Sequence, residues 1–256
     1  LGPSDLLPGA KGKAKAKGKV NSFLESRITI TRFTVLLLLF LGLHPLAVTR
    51  VQAQEVFLHE FDLSKGLWGR EHWGLQATAN WKHIYNKIGW SRVGVSPVLD
   101  YTTGPWTFQS GVGSAFTFDS QIDNFWEVRP WVALNFRFTL LQKILVEQRF
   151  RSEWREFYTS GDLKPENYHR FRYGLGLVFR LWDNPRWSQR LGFEWYILDS
   201  PAAYERFPNE RDYNLTFIHL LPNNHQIIIG FELESYLNSQ LRADGHAYLL
   251  ILGFRI

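Results

Sequence analysis

Polar and apolar residues alternate with period two along most of this chain, most clearly from Phe125 to Tyr158. Trp126, Val128, Pro130, Val132, Leu134, Phe136 and Phe138 fall on one side. Glu127, Arg129, Trp131, Ala133, Asn135 and Arg137 fall on the other. After a short turn at 139–141 the contrast resumes, with Ile144, Val146, Gln148, Phe150, Ser152 and Trp154 against Glu147, Arg149, Arg151, Glu153 and Arg155. A period of two sends successive side chains to opposite faces of a strand. The stretch therefore predicts two antiparallel strands with one aromatic face and one charged face. Both run well past the ~5–6 residues of an ordinary strand. Such length suits a tilted membrane barrel, in which ~9–11 residues cross the bilayer and the rest project beyond it.

The same alternation predicts eight more strands, at 72–82, 89–102, 105–118, 168–181, 187–198, 211–221, 225–237 and 244–256. Residues 54–71 show no long pattern and read as a lead-in. The expected fold is all-β: a single antiparallel transmembrane barrel of ten strands over 72–256. Its inward positions carry twelve basic and eight acidic residues. The proposed lumen charge cluster comprises Glu127, Arg129, Arg137, Glu147, Arg149, Arg151, Glu153, Arg155, Arg170, Arg172, Arg190, Glu194, Glu232 and Glu234. The apolar faces carry no formal charge between their first and last aromatic. A lipid-facing surface demands this, since Arg or Lys at the bilayer midplane costs ~2–4 kcal/mol. Trp73, Trp106 and Trp187 fall near one set of strand ends, and Trp81, Trp126, Trp154 and Trp195 near the other, which predicts two aromatic girdles. Pro97, with no N–H to give to a ladder, predicts a local irregularity.

Connections after alternate strands carry tight-turn residues, such as Thr103-Gly104 and Pro222-Asn223-Asn224. The others read as longer loops, clearest at 158–167 and 199–210. Short turns on one side and long loops on the other match the periplasmic and extracellular ends of an outer-membrane barrel. An even strand count then puts both termini in the periplasm.

Composition sharpens the picture in three ways. Aromatics make up 16% of the chain, as girdles require. With no cysteine there can be no disulfide, thiolate metal site or thiol nucleophile. The net charge of +5 owes much to Lys11, Lys13, Lys15, Lys17 and Lys19, a low-complexity basic tract within residues 1–21 that reads as disordered, so the charge does not imply nucleic-acid binding. Residues 22–53 read as a signal peptide, with Arg27 and Arg32, an apolar run at Phe33–Leu43, and Val51-Gln52-Ala53 as a cleavage site; this is the pattern of an exported protein, and with the barrel it predicts the outer membrane as the location after cleavage near Ala53.

Candidate chemistry is sparse. The inward charges read either as paired wall residues that block the lumen of a structural or interaction barrel, or as the lining of a narrow small-solute channel, whose basic excess favours anions. A rim-located hydrolase is a further alternative, with His83 and His169 near the loops and Asp123, Asp162, Asp199 and Asp212 as possible orienting groups, but no spacing specifies a triad. Gly111-Val112-Gly113 and Gly174-Leu175-Gly176 lie inside strands and are not phosphate loops. No catalytic residue, metal site or cofactor is predicted. The expected partners are outer-membrane lipids and the barrel-insertion machinery, which would read Tyr248–Ile256, where Tyr248, Leu250, Leu252 and Phe254 alternate toward the C-terminus.

The run at Glu147–Arg151, the YHRFRY segment at Tyr168–Tyr173 and Asn209-Glu210-Arg211 resemble a family of Gram-negative outer-membrane barrels of unknown function, over about 68–256. The resemblance implies a barrel and its location, and brings no catalytic residues.

Overall fold

Eleven strands close into one barrel, one more than the alternation predicts. The computed structural model describes residues 54–256 apart from 86–88, 141–143, 160–161, 181–185, 200–207 and 238–242. The basic tract and the segment 22–53 that reads as a signal peptide therefore lie outside the described residues. In chain order the strands are β1 (Gln54–Arg70), β2 (Trp73–Ile84), β3 (Trp90–Thr103), β4 (Trp106–Asp119), β5 (Phe125–Leu140), β6 (Ile144–Thr159), β7 (Asp162–Arg180), β8 (Trp187–Asp199), β9 (Asn209–Leu220), β10 (Gln226–Leu237) and β11 (Ala243–Arg255). They run 12 to 19 residues. Each pairs antiparallel with the next in sequence.

The extra strand is β1, in the segment that reads as a lead-in. It pairs antiparallel with β2 and parallel with β11, from Gln54↔Gly245 to Ser64↔Arg255. Backbone bonds at Gly66–Ile256 (3.0 Å) and Ile256–Ser64 (2.9 Å) finish the seam. The alternation is weak here because the first inward side chains of β1 are themselves apolar. Val56 and Leu58 pack with Ile84, Tyr236, Ala247 and Leu249 inside the barrel, so both faces of Val56-Phe57-Leu58 are hydrophobic. The parallel seam also fixes where the first strand starts relative to the end of the last. Gln54 starts beside Gly245, whereas Arg255 ends beside Ser64, so the two ends of the barrel chain lie at opposite rims.

One connection differs as well. Residues 158–167 read as a long loop, yet Thr159 pairs with Asp162 and β7 continues from there. A register shift between Phe157 and Thr159 absorbs the irregular sequence. The tight turns hold: Gly104 takes a positive φ of 56°, which glycine adopts without a Cβ penalty, and Asn223 and Asn224 take 62° and 63°. The ladder is interrupted on one side of Pro97 and on one side of Pro130. Pairing of β3 with β4 skips from Val95↔Ser114 to Val98↔Gly111, and pairing of β5 with β6 from Val128↔Glu156 to Trp131↔Glu153.

The outer surface is apolar. Phe57, Phe108, Val132, Phe150, Phe171, Phe231 and Leu250 are all exposed, at outward positions of seven of the strands. Of the girdle residues, Trp73, Trp81, Trp106, Trp126, Trp154 and Trp195 are exposed, and Trp187 is half-buried against the His219 ring, 4.2 Å between centroids. Trp68, in the strand that reads as a lead-in, is exposed near Trp73, two residues beyond the Arg70↔Trp73 pair.

Candidate functional site: a lumen with two unlike walls

Twelve of the fourteen charged residues read as a lumen cluster line one cavity, Glu127 and Glu153 are buried beside it, and the two sides of the barrel differ in the sign they carry. Strands β5 to β8 form a basic wall built around three buried glutamates. Glu127, 1% exposed, accepts from Arg155 Nε at 2.6 Å and from Arg92, and Arg129 lies 4.0 Å away. Arg155 also donates to the Tyr168 hydroxyl. Glu153, 0% exposed, meets Arg151 (2.6 Å), Arg170 (2.5 Å) and Arg172 (3.2 Å) at once. Arg151 Nε makes this ion pair without hydrogen-bond alignment. Its guanidinium instead stacks 3.9 Å over the Trp131 ring, a cation–π contact. Glu194 takes Arg149 at 2.6 Å, Arg172, and the Tyr196 hydroxyl at 2.9 Å. Nearer the turn rim, Glu147 pairs with Arg137 and Arg190, both at 3.1 Å.

The register explains why these groups meet. Glu153 is the β6 partner of both Trp131 on β5 and Arg170 on β7, and Arg151 is the partner of Arg172. Direct and diagonal neighbours on one sheet face therefore bring three cations to one carboxylate. Small residues make room. A Cβ on Gly111 would sit 2.7 Å from both the Trp131 ring and the Pro97 carbonyl, so the indole lies flat against backbone there. One on Gly176 would meet the Arg190 guanidinium at 3.0 Å.

The opposite wall, β9 to β2, is acidic. Carboxylate oxygens of Asp212, Glu232 and Glu234 lie within 4.8 Å of one another. The single proton of the Tyr196 hydroxyl is shared between Glu194 and Asp212, and Asn209 Nδ2 donates to Asp212 at 3.2 Å. The cation at this level is Lys82, whose Nζ is 2.6 Å from Glu234 and 4.0 Å from Glu60. Asn80 donates to Glu60 at 3.1 Å. Glu60 and Asp62 come from β1, so the sequence reading missed them along with the strand, although Glu60, Asp62 and Ser64 show the polar side of an alternation against Phe61 and Leu63. Their addition narrows the basic excess read from the other ten strands.

Between the walls lies a cavity of about 920 Å³. Its lining runs from Val56, Phe125 and Phe157 near the loop rim to Arg137, Gln226 and Arg255 near the turn rim. Two apolar clusters narrow the loop end: Val56, Leu58, Ile84, Tyr236, Ala247 and Leu249 on one side, and Phe125, Phe157 and Tyr168 on the other.

Among the histidines named as rim candidates, His169 Nε2 lies 2.8 Å from Ser152 Oγ. Both residues belong to the outward face, where the His169 ring packs edge-on to Phe171 at 4.2 Å. His83 stands opposite His59 on the same outward face, with ring centroids 5.4 Å apart.

A closed β-barrel with a polar, charge-sorted interior and an apolar exterior is the class these features define. Residues 60–227 match the family described as a protein of unknown function, DUF2490, and the chain belongs to that family. The match begins at residue 60, inside β1. Neither a curated protein nor a solved structure matches the chain.

Proposed function

We propose that this chain is an outer-membrane β-barrel whose lumen admits small polar solutes. The lumen cavity carries the reading: about 920 Å³ of space whose lining extends from one rim to the other between charged walls. A fully packed interior, as ~8 strands would give, has no such space. Placement in the membrane is supported by the apolar outer face and its tryptophans, since soluble monomers rarely expose apolar patches beyond a few hundred Å². In this placement outer-membrane lipids cover the outer face. The strand ending Tyr248–Ile256 is the segment offered to the insertion machinery, and the chain is exported with cleavage near Ala53. With walls of both signs, the anion preference expected from a basic excess becomes weak.

The second reading is a sealed structural or interaction barrel. It is favoured by the saturation of Glu127 and Glu153 with arginines and by the apolar clusters at the loop end. Planar-bilayer conductance of the refolded protein separates the two. Steady unitary steps are expected. A folded barrel, verified by a heat-modifiable gel shift, that never conducts would favour the sealed form.

The barrel is proposed to be non-enzymatic. Ser152 and His169 sit on an outward face whose described backbone N–H groups are committed to the β6–β7 and neighbouring ladders, not to an oxyanion. A fluorophosphonate should leave Ser152 unlabelled, and labelling would overturn this.

A further inference from the structure

We propose that the lumen cavity binds small zwitterions, molecules with an ammonium at one end and a carboxylate at the other, one end on each wall. The proposal rests on the lumen being open to solute, and goes further in naming the chemistry it selects.

Neither wall neutralises itself. On the basic side the single charge of Glu153 is shared by Arg151, Arg170 and Arg172. The nearest acid to Arg129 is Glu127 at 4.0 Å, and Arg129 Nε is buried without a hydrogen-bond partner among the described residues. On the acidic side Asp212, Glu232 and Glu234 crowd within 4.8 Å, with Glu60 close by and Lys82 as the local cation. Strand order puts these walls on opposite sides of the ring, since β10, β11 and β1 face β5 and β6 across eleven strands. Both walls line the same cavity.

A second observation is independent of charge. Trp131 is 8% exposed, lines the cavity, and its Nε1–H has no partner among the described residues. A buried donor without an acceptor is costly unless a ligand or water meets it. Trp131 lies under the Arg151 guanidinium, so a carboxylate arriving at Arg151 and Arg129 could also accept from the indole.

The selectivity follows from Coulomb's law. A simple anion is drawn to the arginines but repelled by the carboxylates, and a simple cation meets the reverse. A zwitterion aligned across the lumen is attracted at both ends. A compact ammonium, with three donors, suits three converging carboxylates, and the arginine fork suits a carboxylate.

The test uses the refolded protein in detergent micelles and isothermal titration calorimetry at fixed ionic strength, with 6-aminohexanoate, hexanoate and hexylamine as probes. We expect 6-aminohexanoate to bind about tenfold or more tightly than either monopolar analogue. In E232Q/E234Q the preference over hexanoate should vanish, and in R129Q/R151Q the preference over hexylamine. The gel shift checks that each variant is folded, and the probe comparison on the unaltered protein stands alone if one is not. Equal affinities for the three probes would overturn the proposal. So would Ca²⁺ occupying the carboxylates while the probes show no preference. Binding in micelles does not need conduction, so a silent bilayer with selective binding would remove the channel and keep this site. Conduction without selective binding would do the opposite.

Discussion

The two walls of the lumen both set carboxylates against cations, and they reach opposite electrostatic states. On β5 to β8 each buried glutamate is surrounded by arginines, so the carboxylate is the scarce partner and every acid is over-compensated. On β9 to β2 the acids outnumber the cations at the same level, and Lys82 is the scarce partner. The physical difference is the number of donors per charge. One arginine can serve two carboxylates, as Arg172 serves Glu153 and Glu194, so a few acids knit the basic wall into a continuous network. Nothing comparable links the carboxylates of the other wall, which hold one another apart except where Lys82, Tyr196, Asn80 or Asn209 intervenes. The basic wall should therefore behave as structure, and the acidic wall as a surface waiting for a counter-charge.

The largest expected effect is on Glu153. E153Q leaves Arg170, 4% exposed, and Arg172 facing each other without their shared carboxylate. Removing one partner of a buried pair costs ~3–5 kcal/mol, and lumen water would reduce this. Urea unfolding in lipid vesicles should show a destabilisation of at least ~2 kcal/mol, within reach of that range. A loss below that would mean the basic wall is solvated and not structural.

Lys82 tests the other wall by the same logic, with a smaller effect. K82Q removes the cation 2.6 Å from Glu234, and should cost about 1.5–3 kcal/mol, the range for a hydrogen bond to a charged group. If K82Q proves neutral, the carboxylates must already be balanced by other means, and the contrast between the walls collapses.

Glu232 should respond with the opposite sign. Its carboxylate stands within 4.8 Å of those of Asp212 and Glu234, so E232Q relieves like-charge repulsion. The same substitution that destabilises at Glu153 should stabilise here, by up to about 1 kcal/mol, the scale of cross-strand charge pairs. Loss of stability in E232Q would show that Glu232 is compensated as Glu153 is.

How much of this was readable beforehand differs between the walls for a physical reason. The basic wall stood out because its strands keep a sharp contrast: Glu147, Arg149, Arg151, Glu153 and Arg155 alternate with Val146, Gln148, Phe150, Ser152 and Trp154. Period two is visible only where the two faces meet unlike surroundings. At β1 the inward face begins in an apolar cluster, so Val56 and Leu58 look like their outward neighbours. The strand, the odd count, the parallel seam and the acids Glu60 and Asp62 were all lost together. The pairing inside the basic wall could not be read either. Twelve basic residues against eight acidic suggested a surplus, but not that three arginines converge on Glu153. That depends on register between strands, which no single strand's pattern contains.

The smallest expected effect falls on Arg149, and it separates stability from solute selection. Its side chain is 37% exposed, although it reaches Glu194 at 2.6 Å. Partly exposed pairs contribute about 0–1 kcal/mol, and Glu194 keeps Arg172 and Tyr196 when Arg149 is removed. R149Q should therefore unfold within about 1 kcal/mol of the unaltered barrel. Its effect should appear in the lumen, because Arg149 lines the cavity and carries charge that the network does not need. Reversal potentials in a potassium chloride gradient should move toward cation selectivity in R149Q and toward anion selectivity in E232Q, each with little change in stability. Matching shifts of opposite sign would establish that the two walls act on solute independently. A large stability loss in R149Q, with no movement in reversal potential, would instead make it one more buried brace of the basic wall.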